Sequence, residues 1–378
     1  MGVRRTWIGA AVCGAVILAA LLIAPWGVAR HSCSTFLLPA GQSFYVGHNL
    51  DEYFEVPGLV VVNKKGAAKE NVSWADVISL TGREEEAPRL RWVSKFGSIT
   101  YNTFGREFPD GGMNEAGLYV GEMTLKGTVW PTDDLPKIHH HQWMQYLLDN
   151  FKSVDEAVAS LKVLSPSGHT EWHFFLADRR GNTAVIEFDQ GRAVIYQGEN
   201  IPVKVLCNAA YGAELEKMRR FKGYGGSEDP GREAKNADNR FVWATSLIAA
   251  YAASGSADPA AYVFRTLEAL KLGNNQWSIV YDLTRGRMYF TTVKARRVRY
   301  VDFSRFDFSC AGPSLCLDIT RDLEGDVSAA FEPLTEALNE EYIRRALEPI
   351  DAGQAGNRFK PLWKKRLSDS TKPFACGK

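Results

Sequence analysis

Short stretches rich in apolar and β-branched residues recur along the chain between clusters of Gly, Pro, Asn and Asp, a pattern typical of β-strands joined by turns. The first two, residues 34–38 and 44–48, flank Pro-Ala-Gly-Gln at 39–42. Proline and glycine favour a turn, so these stretches predict a β-hairpin. The same pattern predicts strands at residues 58–63, 98–102, 118–125, 172–177, 183–188, 192–197, 277–282, 287–292 and 298–303.

Helical spacing of apolar residues occurs in two blocks, each with two segments. The first block covers residues 143–151 and 157–164, and Ser153 with Glu156 forms a capping box in front of its second helix. The second block covers residues 239–253 and 260–272. The order of strands, two helices, strands, two helices and strands predicts an α+β fold in which helices cover two antiparallel sheets.

The first 32 residues have the composition of an export signal. Arg4 and Arg5 lie in a segment without acids, and residues 8–29 are nearly all apolar or small. We therefore predict a signal peptide, cleavage after Ala29, self-removal of residues 30–32, and a periplasmic or secreted protein. At about 20 residues, the apolar stretch is also long enough for an uncleaved membrane anchor, which stays the alternative.

The overall composition limits the classes of function. Hydrophobic residues make up 45% of the chain and charged residues 24%, as in soluble globular proteins. The net charge of +1 argues against nucleic acid as a partner, and against a membrane surface unless the leader is retained. The chain contains no Cys-x-x-Cys or His-Glu-x-x-His motif, so we expect neither a metal nor a cofactor. A small molecule is the expected partner, and a homo-oligomer stays open.

The six cysteines divide between chemistry and structure. Cys13 belongs to the leader, and Cys33 directly follows it. Outside the cytoplasm a disulfide can form between two of the other four, and the candidate pairs are Cys310 with Cys316 or Cys316 with Cys376. The sequence does not choose between these pairs.

Cys33 is the candidate nucleophile, because processing would make it the first residue of the mature chain. A free α-amine titrates near pH 8 and a thiol near pH 8.5, so the amine of this residue could deprotonate its own thiol. Nucleophile and base on one residue define an N-terminal-nucleophile hydrolase. The simpler interpretation is a small buried cysteine without chemistry.

Several motifs in order resemble those of the choloylglycine hydrolase and penicillin V acylase family. They begin with CSTF at 33–36 and GHNLD at 47–51, and the resemblance covers roughly residues 33–320. The further motifs are VVNKKG at 61–66, GREFPDGGMNEAGL at 105–118, VLCN at 205–208, NRF at 239–241 and WSIVYD at 277–282. Six motifs in register with a cysteine after a leader are specific, although each alone is weak.

The resemblance implies a four-layer αββα sandwich of two antiparallel sheets, with Cys33 at the start of a strand. In such a linear-amide hydrolase, Cys33 attacks the amide carbonyl while its α-amine takes and returns the proton. Asp51 matches the aspartate that holds this amine. The domain is expected to cover residues 33–347, with residues 348–378 as a surface tail.

Three further residues match family positions around the nucleophile. Asn208 matches the asparagine whose amide donates to the tetrahedral oxyanion, and Thr124 falls at the second oxyanion position. Arg240 matches an arginine whose charge would favour the thiolate. Seen alone, Asp51 could be a turn residue, Asn208 a helix cap and Arg240 a helix-surface residue.

His48 departs from the family pattern, because relatives usually carry Arg or Lys at this position. A histidine is fully charged only below about pH 6.5, which leaves the charge near Cys33 and the pH optimum open. His139, His140 and His141 are consecutive, so their side chains diverge, and we interpret them as surface residues at a helix start. Asn114 also matches the family, and we interpret it as structural.

Two classes of function follow from these residues. The first is an exported amidase acting on an N-acyl amide, such as penicillin V, a conjugated bile acid, an acyl-homoserine lactone or an N-acyl amino acid. An acyltransferase of the same fold is the alternative within the enzymes. The second class is an inactive membrane-anchored binding protein in which Cys33 stays buried within the chain.

Overall fold

The computed structural model describes residues 33–52, 55–73, 89–168, 170–229, 239–273, 275–353 and 375–376. The predicted leader, residues 1–32, lies outside the described residues, as does most of the predicted tail. In the described part of the chain, no helix combines the length and the apolar character needed to cross a membrane.

The first large sheet has seven strands and contains both strands of the predicted hairpin. With strands numbered in chain order, its spatial order is β14-β1-β2-β15-β16-β17-β19, and only the β17–β19 pair is parallel. The bounds are β1 Ser34–Ala40, β2 Ser43–Asp51, β14 Val205–Leu206, β15 Asn275–Asp282, β16 Arg287–Thr292, β17 Arg299–Asp302 and β19 Gly325–Asp326. Ala40 pairs with Ser43, and Gly41 between them has a φ of 62°, which confirms the hairpin.

The second large sheet has nine strands, and all of its neighbouring pairs are antiparallel. Its order is β13-β12-β11-β8-β7-β6-β3-β18-β20. The bounds are β3 Leu59–Asn63, β6 Ser98–Asn102, β7 Gly111–Asn114, β8 Tyr119–Thr124, β11 Trp172–Ala177, β12 Thr183–Asp189, β13 Arg192–Gln197, β18 Leu315–Asp318 and β20 Glu332–Pro333. Two small pairs stand apart: β4 Ala68–Glu70 with β5 Arg91–Val93, and β9 Lys137–His139 with β10 Ser165–Ser167.

Helices cover the outer face of each sheet. The α-helices among the described residues are α1 His140–Asn150, α2 Val154–Ala159, α3 Tyr211–Met218, α4 Arg240–Ala250, α5 Pro259–Leu270 and α6 Glu336–Gly353. Helices α1 and α2 contact the nine-stranded sheet, whereas α4 and α5 contact the seven-stranded sheet. Between the sheets, the rings of Tyr101 and Trp277 meet edge to face at 5.4 Å. The four-layer αββα sandwich is therefore confirmed.

The first helical block differs from its prediction in its boundaries. The serine half of the capping box is confirmed, since the Glu156 N–H donates to Ser153 Oγ at 3.3 Å. The Glu156 side chain accepts from the N–H of Lys152, one residue before the cap. Helix α2 ends at Ala159 and continues as a short 3₁₀ helix, Ser160–Lys162. Helix α1 begins at His140, three residues before the predicted start.

The three consecutive histidines are not surface residues, so that interpretation was wrong. His139, His140 and His141 are all buried where β9 leads into α1. The rings of His140 and His141 meet Trp172 edge to face at 4.4 and 4.5 Å. Aromatic packing on the outer face of the sheet explains their burial. In the described residues, no group of three or more His, Cys, Asp or Glu side chains could hold a metal ion.

Asn114 is a structural residue, as predicted. Its Oδ1 accepts from the N–H groups of Ala116 and Leu118, and so fixes the turn between β7 and β8. Its Nδ2 donates to the carbonyls of Leu148 and Phe151 at the end of α1. A single buried amide thereby fastens the turn to the helix that covers the sheet.

The disulfide joins Cys310 to Cys376, so both predicted pairs were wrong. Their Cα atoms lie 5.7 Å apart, within the range that a disulfide spans. Cys316 belongs to β18 and is buried in an apolar cluster with Val61 and Tyr342, which keeps its thiol away from either partner.

The predicted tail also begins later than expected. Helix α6 continues to Gly353, six residues beyond the predicted domain end at residue 347. Near the C terminus, Cys376 forms an isolated β-bridge with Ala67, so the disulfide and this bridge tie the end of the chain to the sandwich. Residues 354–374 lie outside the described residues.

Candidate active site

Strand register brings the predicted site residues to one end of the seven-stranded sheet. Cys33 immediately precedes β1, which lies between β2 and β14. Ser34 pairs with Asn49 of β2, so Cys33 lies beside the last residues of that strand, where Asp51 stands. On the other side, Thr35 pairs with Leu206 of β14, which places Asn208 just beyond that strand on the flank of Cys33.

The Cys33 side chain contacts the backbone of Asp51. The Asp51 N–H donates to Cys33 Sγ at 3.5 Å, and Sγ lies 4.0 Å from the Asp51 carbonyl oxygen. Cys33 is only 3% exposed in the full-length chain. Burial raises the pKa of its thiol well above the usual value, and the charge of Asp51 raises it further. The thiol is therefore neutral at pH 7, and attack by it would need a base.

Arg240 connects Cys33, the candidate nucleophile, to Asn208, the candidate oxyanion donor. Its Nη1 donates to the Cys33 carbonyl at 3.1 Å, and its Nη2 donates to Asn208 Oδ1 at 3.1 Å. Arg240 is the first residue of α4 and is 1% exposed, so it is not a helix-surface residue. The contacts of Arg240 are with two oxygens rather than with the thiol.

The orientation of the Asn208 amide follows from its two partners. A guanidinium has only donors, so the Asn208 atom facing Arg240 must be the oxygen. Asn208 Nδ2 donates to the Thr124 carbonyl at 2.9 Å, and a carbonyl can only accept. One N–H of the Asn208 amide is thus occupied, and its second N–H is the one that could serve an oxyanion.

Asn208 is not a helix cap, although it lies close to the start of α3. That helix begins at Tyr211 after the cap residue Ala210, which makes no side-chain capping bond. Thr124 ends β8 and lies beside Asn208 through its carbonyl. The role of the Thr124 backbone N–H as a second oxyanion donor stays a prediction.

His48 lies between the two sheets and carries no charge, so it does not supply the positive charge that its relatives' Arg or Lys would. Its Nδ1 lies 2.7 Å from Thr35 Oγ1 and 3.2 Å from the Tyr119 hydroxyl. Burial lowers the pKa of His48 to about 3. Burial therefore argues against the electrostatic role considered from the sequence, and His48 belongs to a hydrogen-bonded group with Thr35 and Tyr119.

Two buried carboxyl groups near the site were not identified from the sequence. Asp110 precedes β7 and Glu122 lies in β8, where the Glu122 N–H donates to the Asp110 carbonyl at 3.3 Å. Burial raises the pKa of Asp110 to about 7 and that of Glu122 well above its usual value. An acid inside the apolar stretch at 118–125 was the available signal.

A family comparison agrees with this arrangement. The model of the linear amide C–N hydrolases, choloylglycine hydrolase family, matches residues 42–254. The chain is also similar to penicillin V acylase from Pectobacterium atrosepticum, with 27% identity over an alignment of 294 residues that covers 65% of this chain and 77% of that protein.

Solved structures share the fold. Penicillin V acylase from Agrobacterium tumefaciens superposes with a TM-score of 0.68 and 22% identity, over 80% of this chain and 98% of that one. A variant of conjugated bile acid hydrolase from Clostridium perfringens superposes with a TM-score of 0.60 and 15% identity, over 76% and 97% of the two chains. With the family model covering more than half of the sequence, the chain belongs to the choloylglycine hydrolase family of linear amide C–N hydrolases.

Proposed function

We propose that this chain is an exported amidase that hydrolyses the amide bond of a small N-acyl compound, with Cys33 as the N-terminal nucleophile of the processed enzyme. The observation that carries the proposal is the contact of Asp51 and Arg240 with Cys33, together with the bond from Arg240 to Asn208. These residues come from four separate parts of the sequence. Their contacts match what acyl transfer through a thioester requires.

In the proposed reaction, the α-amine of mature Cys33 takes the thiol proton, and the thiolate attacks the amide carbonyl. The second N–H of Asn208 would donate to the oxyanion, while Arg240 holds the opposite end of that amide. The α-ammonium returns its proton to the leaving amine as the C–N bond breaks. Water, activated by the same amine, then hydrolyses the thioester and releases the acid.

Asp51 would stabilise the protonated amine during this cycle. The backbone N–H of Asp51 already contacts the Cys33 sulfur, so Asp51 lies beside the residue that would become the N terminus. An ionised carboxylate next to an ammonium stabilises the charged form, and so orients the amine between the two proton transfers.

The processing step is tested by the mass of the exported protein. Expression of the full-length chain with its own leader, followed by intact-mass measurement and N-terminal sequencing, should give a chain that begins at Cys33. Cys33→Ala should retain residues 30–32 in part, because their removal is assigned to Cys33 itself. A purified, active enzyme that begins at residue 29 or earlier would contradict the N-terminal-nucleophile mechanism.

The substrate class is tested with a panel of penicillin V, a conjugated bile acid, an acyl-homoserine lactone and an N-acyl amino acid. Release of the free amine from one of them by wild type, and not by Cys33→Ala, is the expected result. Adding an excess of a second amine separates hydrolysis from acyl transfer, since an acyltransferase would form a new amide in place of the free acid. Binding without turnover by a chain that keeps its leader would instead indicate an anchored binding protein.

A further inference from the structure

Asp51 has a side-chain partner that the reaction scheme does not use. Asn275, at the start of β15, donates from Nδ2 to Asp51 Oδ1 at 2.8 Å and to the Trp277 carbonyl at 2.9 Å. The amide has two N–H groups, so each short bond occupies one of them. Asn275 therefore binds one specific oxygen of the Asp51 carboxylate.

A β-bulge creates this contact. Trp277 pairs with Leu50, whereas Asn275 pairs with Asp51, so Gln276 is an additional residue on β15. In a regular ladder Asn275 would lie one position further along, beyond the end of β2. The Gln276 carbonyl accepts from the Val293 N–H at 3.0 Å, and this bond fixes the bulge. Bulges near active sites commonly re-aim a side chain, and here the bulge brings Asn275 to Asp51.

The two acceptors around Nδ2 fix the orientation of the Asn275 amide. An amide turned by 180° would place its oxygen against Asp51 and against the Trp277 carbonyl, and both are acceptors.

We propose that Asn275 is a positioning residue for Asp51, holding one carboxylate oxygen so that the other meets the α-amine of mature Cys33. The inference rests on the proposed function, because only the processed chain has this amine. A neutral donor suits the task, since Lys or Arg at this position would compete with the ammonium for the same carboxylate. Asn275 leaves the negative charge of Asp51 to the amine and fixes the orientation of the carboxylate.

The test compares Asn275→Ala and Asn275→Asp with a matched control. Asn275→Ala should lower kcat about tenfold, the effect of losing one hydrogen bond to a charged group, with KM within about twofold of wild type. Asn275→Asp, which places a second carboxylate against Asp51, should lower kcat further. The control is Asn63→Ala: Asn63 is a buried asparagine of the other sheet that donates to Ser98 and Thr100, and its loss should leave kcat unchanged.

A double-mutant cycle separates positioning from a general structural effect. If Asn275 acts through the Asp51 carboxylate, adding Asn275→Ala to Asp51→Asn should lower kcat by less than about a further twofold. The same cycle can be measured without turnover. In each variant, intact mass follows the rate at which iodoacetate carboxymethylates Cys33. An equal loss in both backgrounds, or a wild-type kcat for Asn275→Ala, would overturn the inference.

Failure of the proposed function has a different signature. In that case Cys33→Ala and Asp51→Asn would both retain wild-type turnover, and the role of Asn275 would be overturned with it. Failure of the present inference alone leaves those two variants impaired and Asn275→Ala unimpaired.

Discussion

Asp110 offers a quantitative test of the electrostatics around the site. Its Oδ2 accepts from the Thr103 N–H at 2.7 Å, and its side chain is buried. Burial raises the pKa of this carboxyl from 3.8 to about 7 against the opposing effect of the Thr103 bonds, and the charge of Glu52 adds to the rise. Asp110→Asn keeps an acceptor for Thr103 and removes the titration, so it isolates the effect of the carboxyl group.

The sign of the effect follows from proton linkage. Below about pH 4, Asp110 is protonated in both the folded and the unfolded chain. Between pH 4 and pH 7 the unfolded chain loses this proton while the folded chain keeps it, so the free energy of unfolding falls as pH rises. At about 1.36 kcal/mol per pKa unit, the total loss above pH 7 is at most about 4 kcal/mol.

Urea unfolding of wild type and Asp110→Asn at pH 5 and pH 8 measures this loss. Urea is uncharged, so it does not screen the carboxyl groups. The variant should gain about 3 kcal/mol relative to wild type between the two pH values. Exposed Asp134 provides the control. The free energy of unfolding of Asp134→Asn should differ from that of wild type by the same amount at both pH values. A pH-independent difference for Asp110→Asn would refute the argument that burial keeps this carboxyl protonated.

Three further predictions concern the residues around Cys33. Asn208→Ala should lower kcat on the order of a hundredfold or more with an unchanged melting temperature, and turnover within about twofold of wild type would exclude an oxyanion role. Arg240→Lys should lower kcat about tenfold, because one ammonium cannot span the two oxygens that the guanidinium bridges; steady-state kinetics with unchanged kcat would contradict this. His48→Gln should give a profile of kcat/KM from pH 5 to pH 9 that superimposes on that of wild type, since His48 is neutral throughout; loss of an inflection near pH 6.5 would show that it titrates.

Local sequence pattern predicted the sheet strands well where turn chemistry marked both ends. Residues 98–102, 172–177, 192–197 and 287–292 form strands with the predicted bounds. Very short strands, such as β14 with two residues, leave no periodic signal. They form because a neighbouring strand supplies their hydrogen bonds, which is a property of the tertiary structure.

The candidate site was predictable as a set of residues but not as a set of contacts. Motif order identified Cys33, Asp51, Asn208 and Arg240. Strand register explains why the first three lie close together, and the start of α4 places Arg240 beside them. The Asn275 contact with Asp51 depends on a bulge in a strand 224 residues away, and no local pattern encodes it. Such contacts are fixed by the assembled sheet.

Burial decides the charge and the exposure that residue type alone leaves open. The sequence left the charge of His48 open around its reference pKa near 6.5, and enclosure between the two sheets lowers that pKa to about 3. The three histidines at 139–141 were expected at the surface, whereas packing against aromatic neighbours such as Trp172 buries them. The degree of burial is decided by tertiary packing, which sequence polarity does not report.

The raised pKa of the Cys33 thiol bears directly on the proposed maturation. In the full-length chain the nitrogen of Cys33 is an amide, which is not a base, and the surrounding carboxylates oppose formation of a thiolate. Burial is the main cause of the raised pKa, and the nearby carboxylates add to it. Release of residues 1–32 would create an amine on the same residue, beside Asp51, and an ammonium there would offset the added effect of these carboxylates. Processing would therefore supply a base for attack on the substrate and a compensating charge beside the thiol.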